Sequence, residues 1–180
     1  MVLIPLATGF EEIEAVSLID VLRRAEIEVL IAGVGALSIK GAHNIEIKTD
    51  TLVSEVKAEE LEIIVLPGGW DGTYALADDA DVQRLLQEMD TEGKQIAAIC
   101  AAPYALNKAG VLKHKYTCYP SVENEIRIDG YSCEANIVTD GNVMTSRGPG
   151  TALEFALAIV EKLKDKETAE ALKTGMLIKY

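Results

Sequence analysis

The chain is short of histidine, of cysteine and of basic charge, and each shortage narrows what it can do. Only two histidines, His43 and His114, occur in 180 residues. His43 falls in a predicted hairpin and His114 follows Lys113 in a polar loop, so a papain-like cysteine–histidine pair finds no evident base. Three cysteines, Cys100, Cys118 and Cys133, are an odd number without metal-ligand spacing. A disulfide framework and a zinc site are therefore not expected, and a reducing compartment, the cytoplasm, is. Lys and Arg number 17 against 29 Asp and Glu, a formal charge of −12. That excess disfavours phosphate backbones and anionic lipid surfaces as sequence-independent partners, so nucleic acid and membrane give way to small molecules and proteins. The longest apolar run, Ile96 to Leu106, is too short for a membrane span, and no basic segment precedes Val2 to Ala7, so no export signal is expected. No repeat, low-complexity tract or linker interrupts residues 1–180, which read as one domain.

What is present is a regular alternation. VLIPLA (2–7) reads as a strand, and residues 8–26 follow as a helix with capping-box spacing between Thr8 and Glu11. IEVLIAGVG (27–35) and EIIVLPGG (62–69) read as buried strands, with a small hairpin over 37–48 between them. A helix over 79–93, a strand over 94–99 and a helix over 101–110 continue the pattern. Beyond Tyr116 come a short strand, a helical turn from Ser121 to Arg127 and two β-like runs, CEANIVTD and NVMTSR. A long helix then opens at GPGTALEF, with capping-box spacing between Thr151 and Glu154, and DKETAEALKTG reads as a last helix. Aliphatic strands alternating with amphipathic helices indicate a doubly wound α/β fold, a mostly parallel sheet with helices on both faces. Reactive groups then belong beyond the carboxyl ends of the strands.

Cys100 falls at such an end, directly before a helix, with Ala98 and Ala102 two residues to either side. A tight strand-to-helix elbow needs small neighbours around its nucleophile, and the positive end of the helix favours a thiolate. On position alone, a buried inert cysteine fits equally well. Glu14 shares a helix face with Leu18, Val21, Leu22 and Ala25, which aims a carboxyl inward near the end of the first strand. Buried without a cation, it would favour its neutral form and donate to sulfur; the competing reading is an acidic first turn, which suits Glu11 and Glu12. LPGGWDG (66–72) lets backbone approach a ligand and frees N–H groups for an oxyanion, or is simply a turn. Arg147, at the start of the long helix, is suited to an anion or to pairing with a carboxylate. Cys118 and Cys133 are assigned to core packing, and Trp70 and Tyr104 either border a pocket or pack.

Taken together, GFEEIEA (9–15), VLPGG (65–69), AAICAAP (97–103) and TSRGPGTALEFALAIVE (145–161) resemble the ThiJ/PfpI superfamily. The likeness is to its Parkinsonism-associated deglycase branch and the bacterial YajL-like relatives. It implies a flavodoxin-like fold, a homodimer and a peroxide-sensitive cysteine on a nucleophile elbow, here Cys100. By the same matching Glu14 would hydrogen-bond the sulfur, the N–H groups of Gly69 and Ala101 would form the oxyanion pocket, and Arg24 would lie near the dimer interface. Two departures stand out. Tyr119 replaces a histidine found in many members, which leaves proton transfer to Tyr119 or Glu14, and Gly41 and Lys48 stand near positions where relatives carry peripheral cysteines. The activities implied are cofactor- and metal-free: conversion of 2-oxoaldehydes such as methylglyoxal, repair of early glycation adducts, and redox-regulated chaperoning. An amidotransferase or peptidase would need a histidine near Cys100.

Overall fold

A computed structural model describes residues 1–179. The chain runs β1 (Val2–Leu6), α1 (Glu12–Arg24), β2 (Val29–Gly33), β3 (Ser38–Lys40), β4 (Glu46–Lys48), β5 (Thr51–Leu52) and β6 (Ile63–Leu66). It continues through α2 (Trp70–Asp78), α3 (Ala80–Thr91), β7 (Gln95–Ile99), α4 (Pro103–Lys108), α5 (Glu123–Ile126), β8 (Ile137–Asp140), β9 (Val143–Ser146), α6 (Ala152–Leu163) and α7 (Lys166–Gly175). Seven strands form one sheet in the order β5-β2-β1-β6-β7-β9-β8, while β3 and β4 pair separately as the expected hairpin. All pairings in the large sheet are parallel except that of edge strand β8 with β9.

The period-two alternation of each strand divides its side chains between two cores. Val2, Ile4, Leu6, Ile63, Val65, Ala97 and Ile99 face α1 and α6 on one side. Leu3, Ile64, Leu66, Ile96 and Ala98 face α3 and α4 on the other. Burial on both faces is why these strands read as continuous aliphatic runs. The observed architecture is the expected flavodoxin-like α/β fold. Among the described residues no helix is long and apolar enough to cross a membrane.

Local detail departs from expectation where backbone hydrogen bonds are diverted. Helix α1 begins at Glu12 because residues 9–11 are held elsewhere: Gly9 N–H donates to Lys40 O and Glu11 N–H to Gly68 O. Glu11 itself caps the helix, its carboxylate accepting Glu14 N–H at 2.8 Å, in place of a Thr8–Glu11 box. At α6 the Thr151 hydroxyl bonds Gly148 while Glu154 accepts from Asn136, so no box joins them. Residues 70–78 form a helix that the sequence pattern did not reveal, entered from Gly69 without a side-chain cap and carrying Gly72. Gly72 is there for closeness: a Cβ would lie 2.8 Å from Phe10 N. Cys133 is exposed, contrary to its assignment to the core, because β8 begins only at Ile137 and residues 132–135 bend away from the sheet. Cys118 is fully buried.

Candidate active site

The sheet order reverses at β1, whose chain successors lie on opposite sides, β2 on one and β6 on the other. The carboxyl ends of β1, β6 and β7 therefore open into the crevice where α/β proteins bind ligands. Glu14 follows β1, Gly68 and Gly69 follow β6, and Cys100 follows β7.

Cys100 has φ +64°, in the left-handed region that a non-glycine residue occupies at a cost of about 1–3 kcal/mol. Its backbone is clamped on both sides: its N–H donates to Ser146 O at 3.0 Å and its carbonyl accepts Tyr119 N–H at 2.9 Å. The clamp throws the side chain off the strand toward the Gly68–Gly69 turn. Two glycines make room for it. A Cβ on Gly68 would stand 2.6 Å from Cys100 Cβ and 2.9 Å from Glu14 Oε2, and Gly69, at φ +89°, is pressed against the Gly9 carbonyl. Gly68 was not singled out from the sequence; the Gly-Gly pair was its only signal, and the need for bare backbone there comes from two residues distant in the chain.

Glu14 is fully buried, on the predicted face with Leu18, Val21 and Leu22. One carboxyl oxygen, Oε2, accepts Gly68 N–H at 2.8 Å, and Oε1 has no hydrogen-bond partner among the described residues. Burial raises the carboxyl to about 7, with the nearby Glu11 charge adding to it and the bonds to Gly68 and Cys100 opposing it. The thiol of Cys100, 8% exposed, is also pushed up. Burial is the main cause, then the Glu14 charge and hydrogen bond, while the N–H groups of Gly69 and Ala101 face the sulfur and pull the other way. Burial thus outweighs the helix-end effect expected to favour thiolate. The pair shares a low-dielectric site in which two negative charges are disfavoured, so a thiolate at Cys100 is compatible with a protonated Glu14.

Tyr119 is tied to Cys100 through backbone rather than through its hydroxyl. Its ring, 47% exposed, lies against Gly148, and Tyr119, Pro120, Arg147 and Gly148 line a cavity of about 270 Å³. Among the described residues Arg147 pairs with no carboxylate; it donates to the Cys133 carbonyl at 2.5 Å. Neither histidine contacts the site. His43 bonds Glu12 and His114 lies 3.7 Å from Asp129. Glu11, Glu12 and His43 bring ligand atoms within 4.8 Å of one another, yet the carboxylates of Glu11 and Glu12 are already engaged by backbone N–H groups and the His43 ring. Arg24 is exposed and pairs with Asp20 at 2.6 Å.

The chain is similar over nearly its whole length to known proteins. Protein dj-1beta of Drosophila melanogaster is 42% identical over 99% of this chain and 97% of its own length. The crystal structure of Drosophila melanogaster DJ-1beta superposes with a TM-score of 0.95 at 41% identity, covering 99% of this chain and 98% of that one. A Caenorhabditis elegans protein named glutathione-independent glyoxalase DJR-1.2 is 38% identical over 90% of this chain and 87% of its own length. A family model described as DJ-1/PfpI matches residues 1–162. With that match and those identities, the chain belongs to the DJ-1/PfpI family.

Proposed function

We propose that this protein is a cofactor-free, Cys100-dependent enzyme acting on 2-oxoaldehydes or their early glycation adducts, a glyoxalase or deglycase. The observation that carries the reading is the buried carboxyl of Glu14, raised to about 7 beside a cysteine held in a left-handed elbow. A carboxyl poised near neutrality both takes and returns protons, as general acid–base chemistry requires. The name of the worm relative, a glutathione-independent glyoxalase, agrees with it.

The steps balance without an outside oxidant. The Cys100 thiol passes its proton to Glu14 as the sulfur adds to the aldehyde carbon, and the N–H groups of Gly69 and Ala101 receive the oxyanion. Glu14 gives that proton to the adjacent ketone oxygen, then takes the proton of the former aldehyde carbon and delivers it to the neighbouring carbon as the oxyanion becomes a carbonyl, so the aldehyde is oxidised and the ketone reduced within one molecule. The product is a thioester of a 2-hydroxy acid. Water cleaves it, its hydroxyl going to the acyl carbon and its proton, by way of Glu14, to the departing sulfur. Tyr119 borders this site and shapes access to it; Glu14 is the better proton carrier because its carboxyl already lies against the cysteine. The test is methylglyoxal turnover by the wild type and by Cys100→Ser. Lactate is expected from the first and none from the second, and equal turnover would refute the reading.

A second reading has Cys100 as an oxidative-stress sensor, or the switch of a redox-regulated chaperone, that climbs to the sulfinic acid. The N–H groups of Gly69 and Ala101, which face the sulfur, and Glu14 Oε1, without a partner among the described residues, suit a sulfinate's oxygens. Mild peroxide followed by mass spectrometry checks it: Cys100 gains two oxygens before Cys118 or Cys133. Both readings place the protein in the cytoplasm, where thiols stay reduced. A homodimer is part of the proposal, since Ile13 and Val16 on α1 and Ile45 on the adjoining hairpin are 58%, 47% and 55% exposed, a cluster suited to a second copy.

A further inference from the structure

Helix α2 starts at the residue after Gly69 and carries two exposed rings that neither the fold nor the proposed chemistry requires. Trp70, 38% exposed, stacks on Tyr74, 43% exposed, with centroids 5.3 Å apart and planes 22° from parallel. Tyr74 in turn meets Tyr104 of α4 edge-on at 5.4 Å and 81°. Both helices begin at the sulfur: the Gly69 N–H facing Cys100 immediately precedes Trp70, and α4 emerges from the Cys100 elbow. Three rings in a row, two of them open to water, form a surface with a preference, since ring faces attract cations. The surroundings agree in sign. Exposed Asp71 follows Trp70, Asp78 closes the same helix, and the whole chain carries −12. Lys108, one turn beyond Tyr104 on α4, is engaged by Asp78.

We propose that the Trp70–Tyr74 face is a subsite for a basic peptide segment, taking the guanidinium of an arginine next to the side chain presented to Cys100. The proposal rests on the adduct-repair form of the function proposed above and deepens it. Free 2-oxoaldehydes use the sulfur alone, and adducts on arginine-containing peptides gain the ring contact. An uncharged planar ligand would not exploit the acidic surroundings, and a nucleic acid would be repelled by them.

Trp70 is the sole tryptophan in the chain, so its emission reports the subsite directly. The probes are a Gly-Arg-Gly tripeptide blocked at both ends and its citrulline counterpart, matched in shape and lacking the charge. The arginine peptide should shift Trp70 emission saturably, at about two- to fivefold lower concentration than the citrulline peptide, the discrimination expected of an exposed cation–π contact. Added salt should narrow the difference. Equal responses, or no saturable response to either peptide, overturn the proposal. Trp70→Leu should lose peptide binding followed by titration calorimetry, Trp70→Phe should keep part of it, and both should turn over free methylglyoxal as the wild type does. Should Trp70→Leu fail to fold, the wild-type comparison of the two peptides still decides. Cys100→Ser separates the two ideas: it should retain the arginine-dependent shift, so absent methylglyoxal turnover in the wild type removes the enzyme reading while leaving the subsite to stand or fall on emission alone.

Discussion

The backbone N–H of Gly68 donates to Glu14 Oε2 at 2.8 Å, and this bond leaves Oε1 as the carboxyl oxygen free to carry a proton. The same glycine sits against Cys100, so one residue spaces the acid from the sulfur. A methyl group there would stand 2.6 Å from Cys100 Cβ and 2.9 Å from Glu14 Oε2, closer than such atoms approach. Gly68→Ala should cost about 1–3 kcal/mol by denaturant titration, the usual range for overpacking, and lower methylglyoxal turnover by about 100-fold through misplacement of the pair. Wild-type values in both assays would mean that the turn yields and that the spacing is unimportant.

Glu14→Gln should move two readouts in opposite directions. Glutamine keeps the size and a donor toward sulfur but removes the charge that helps hold the Cys100 thiol up. Alkylation of Cys100 by iodoacetamide at pH 7, followed on the Cys100 peptide by mass spectrometry, should then be at least about threefold faster. Lowering a thiol pKa by one gives about tenfold more thiolate, of which weaker nucleophilicity takes back roughly half on a logarithmic scale. Turnover should nonetheless fall about 100-fold or more, because the proton carrier is gone. If alkylation and turnover fell together, Glu14 would be an activator of the thiol and not a carrier of protons.

The raised carboxyl also leaves a signature in stability. Glu14 is about 7 in the folded protein against 4.5 for an ordinary glutamate, so the folded state binds this proton more tightly than the unfolded one. The stabilisation from the neutral form is complete below about pH 4.5 and is lost as pH rises through about 7, amounting to about 3 kcal/mol across that window. Glu14→Gln stays neutral throughout. Its stability relative to wild type should therefore climb from pH 5 to pH 8, measured by urea denaturation at each pH, and parallel curves would show that the carboxyl ionises without penalty.

How much of this was readable beforehand depended on whether the cause was local. The strands and the inward aim of Glu14 follow from periodicity, because Leu18, Val21 and Leu22 fix which face of α1 is buried. The position of Cys100 follows from a strand ending where a proline-containing helix starts. Gly68 was missed because its constraint comes from residues 14 and 100, and helix α2 because Gly69 and Gly72 suppress the usual helix signals while serving contacts with Gly9 and Phe10. The α1 start was shifted for the same reason: the N–H groups of Gly9 and Glu11 bond to Lys40 and Gly68, and no window of neighbouring residues contains those partners. Cys133 misled because its run alternates like a strand while only its second half, from Ile137, joins the sheet.

Glu12 should prove to be the fastening between α1 and the hairpin. Although it sits in the first turn of the helix, its side chain is buried and accepts His43 N–H at 2.5 Å, the His43 ring at 2.8 Å and Ile45 N–H at 3.4 Å. Burial pushes this carboxyl up, but those bonds outweigh it and hold the carboxyl below the usual range. The exposed His43 ring is held above its ordinary value by the bond to, and charge of, Glu12. Glu12→Ala should return His43 toward about 6.5 in an NMR titration. Amide exchange at His43 and Ile45 should quicken, while amides of β1, β6 and β7 keep their protection, since only the hairpin loses partners. The cost to overall stability should be about 1–3 kcal/mol, the range for a buried bonding group left without its partner. Gly41→Ala should reproduce the exchange pattern, because a Cβ there runs into the Glu12 carboxylate. An unchanged His43 titration in Glu12→Ala would place the hairpin's anchorage elsewhere.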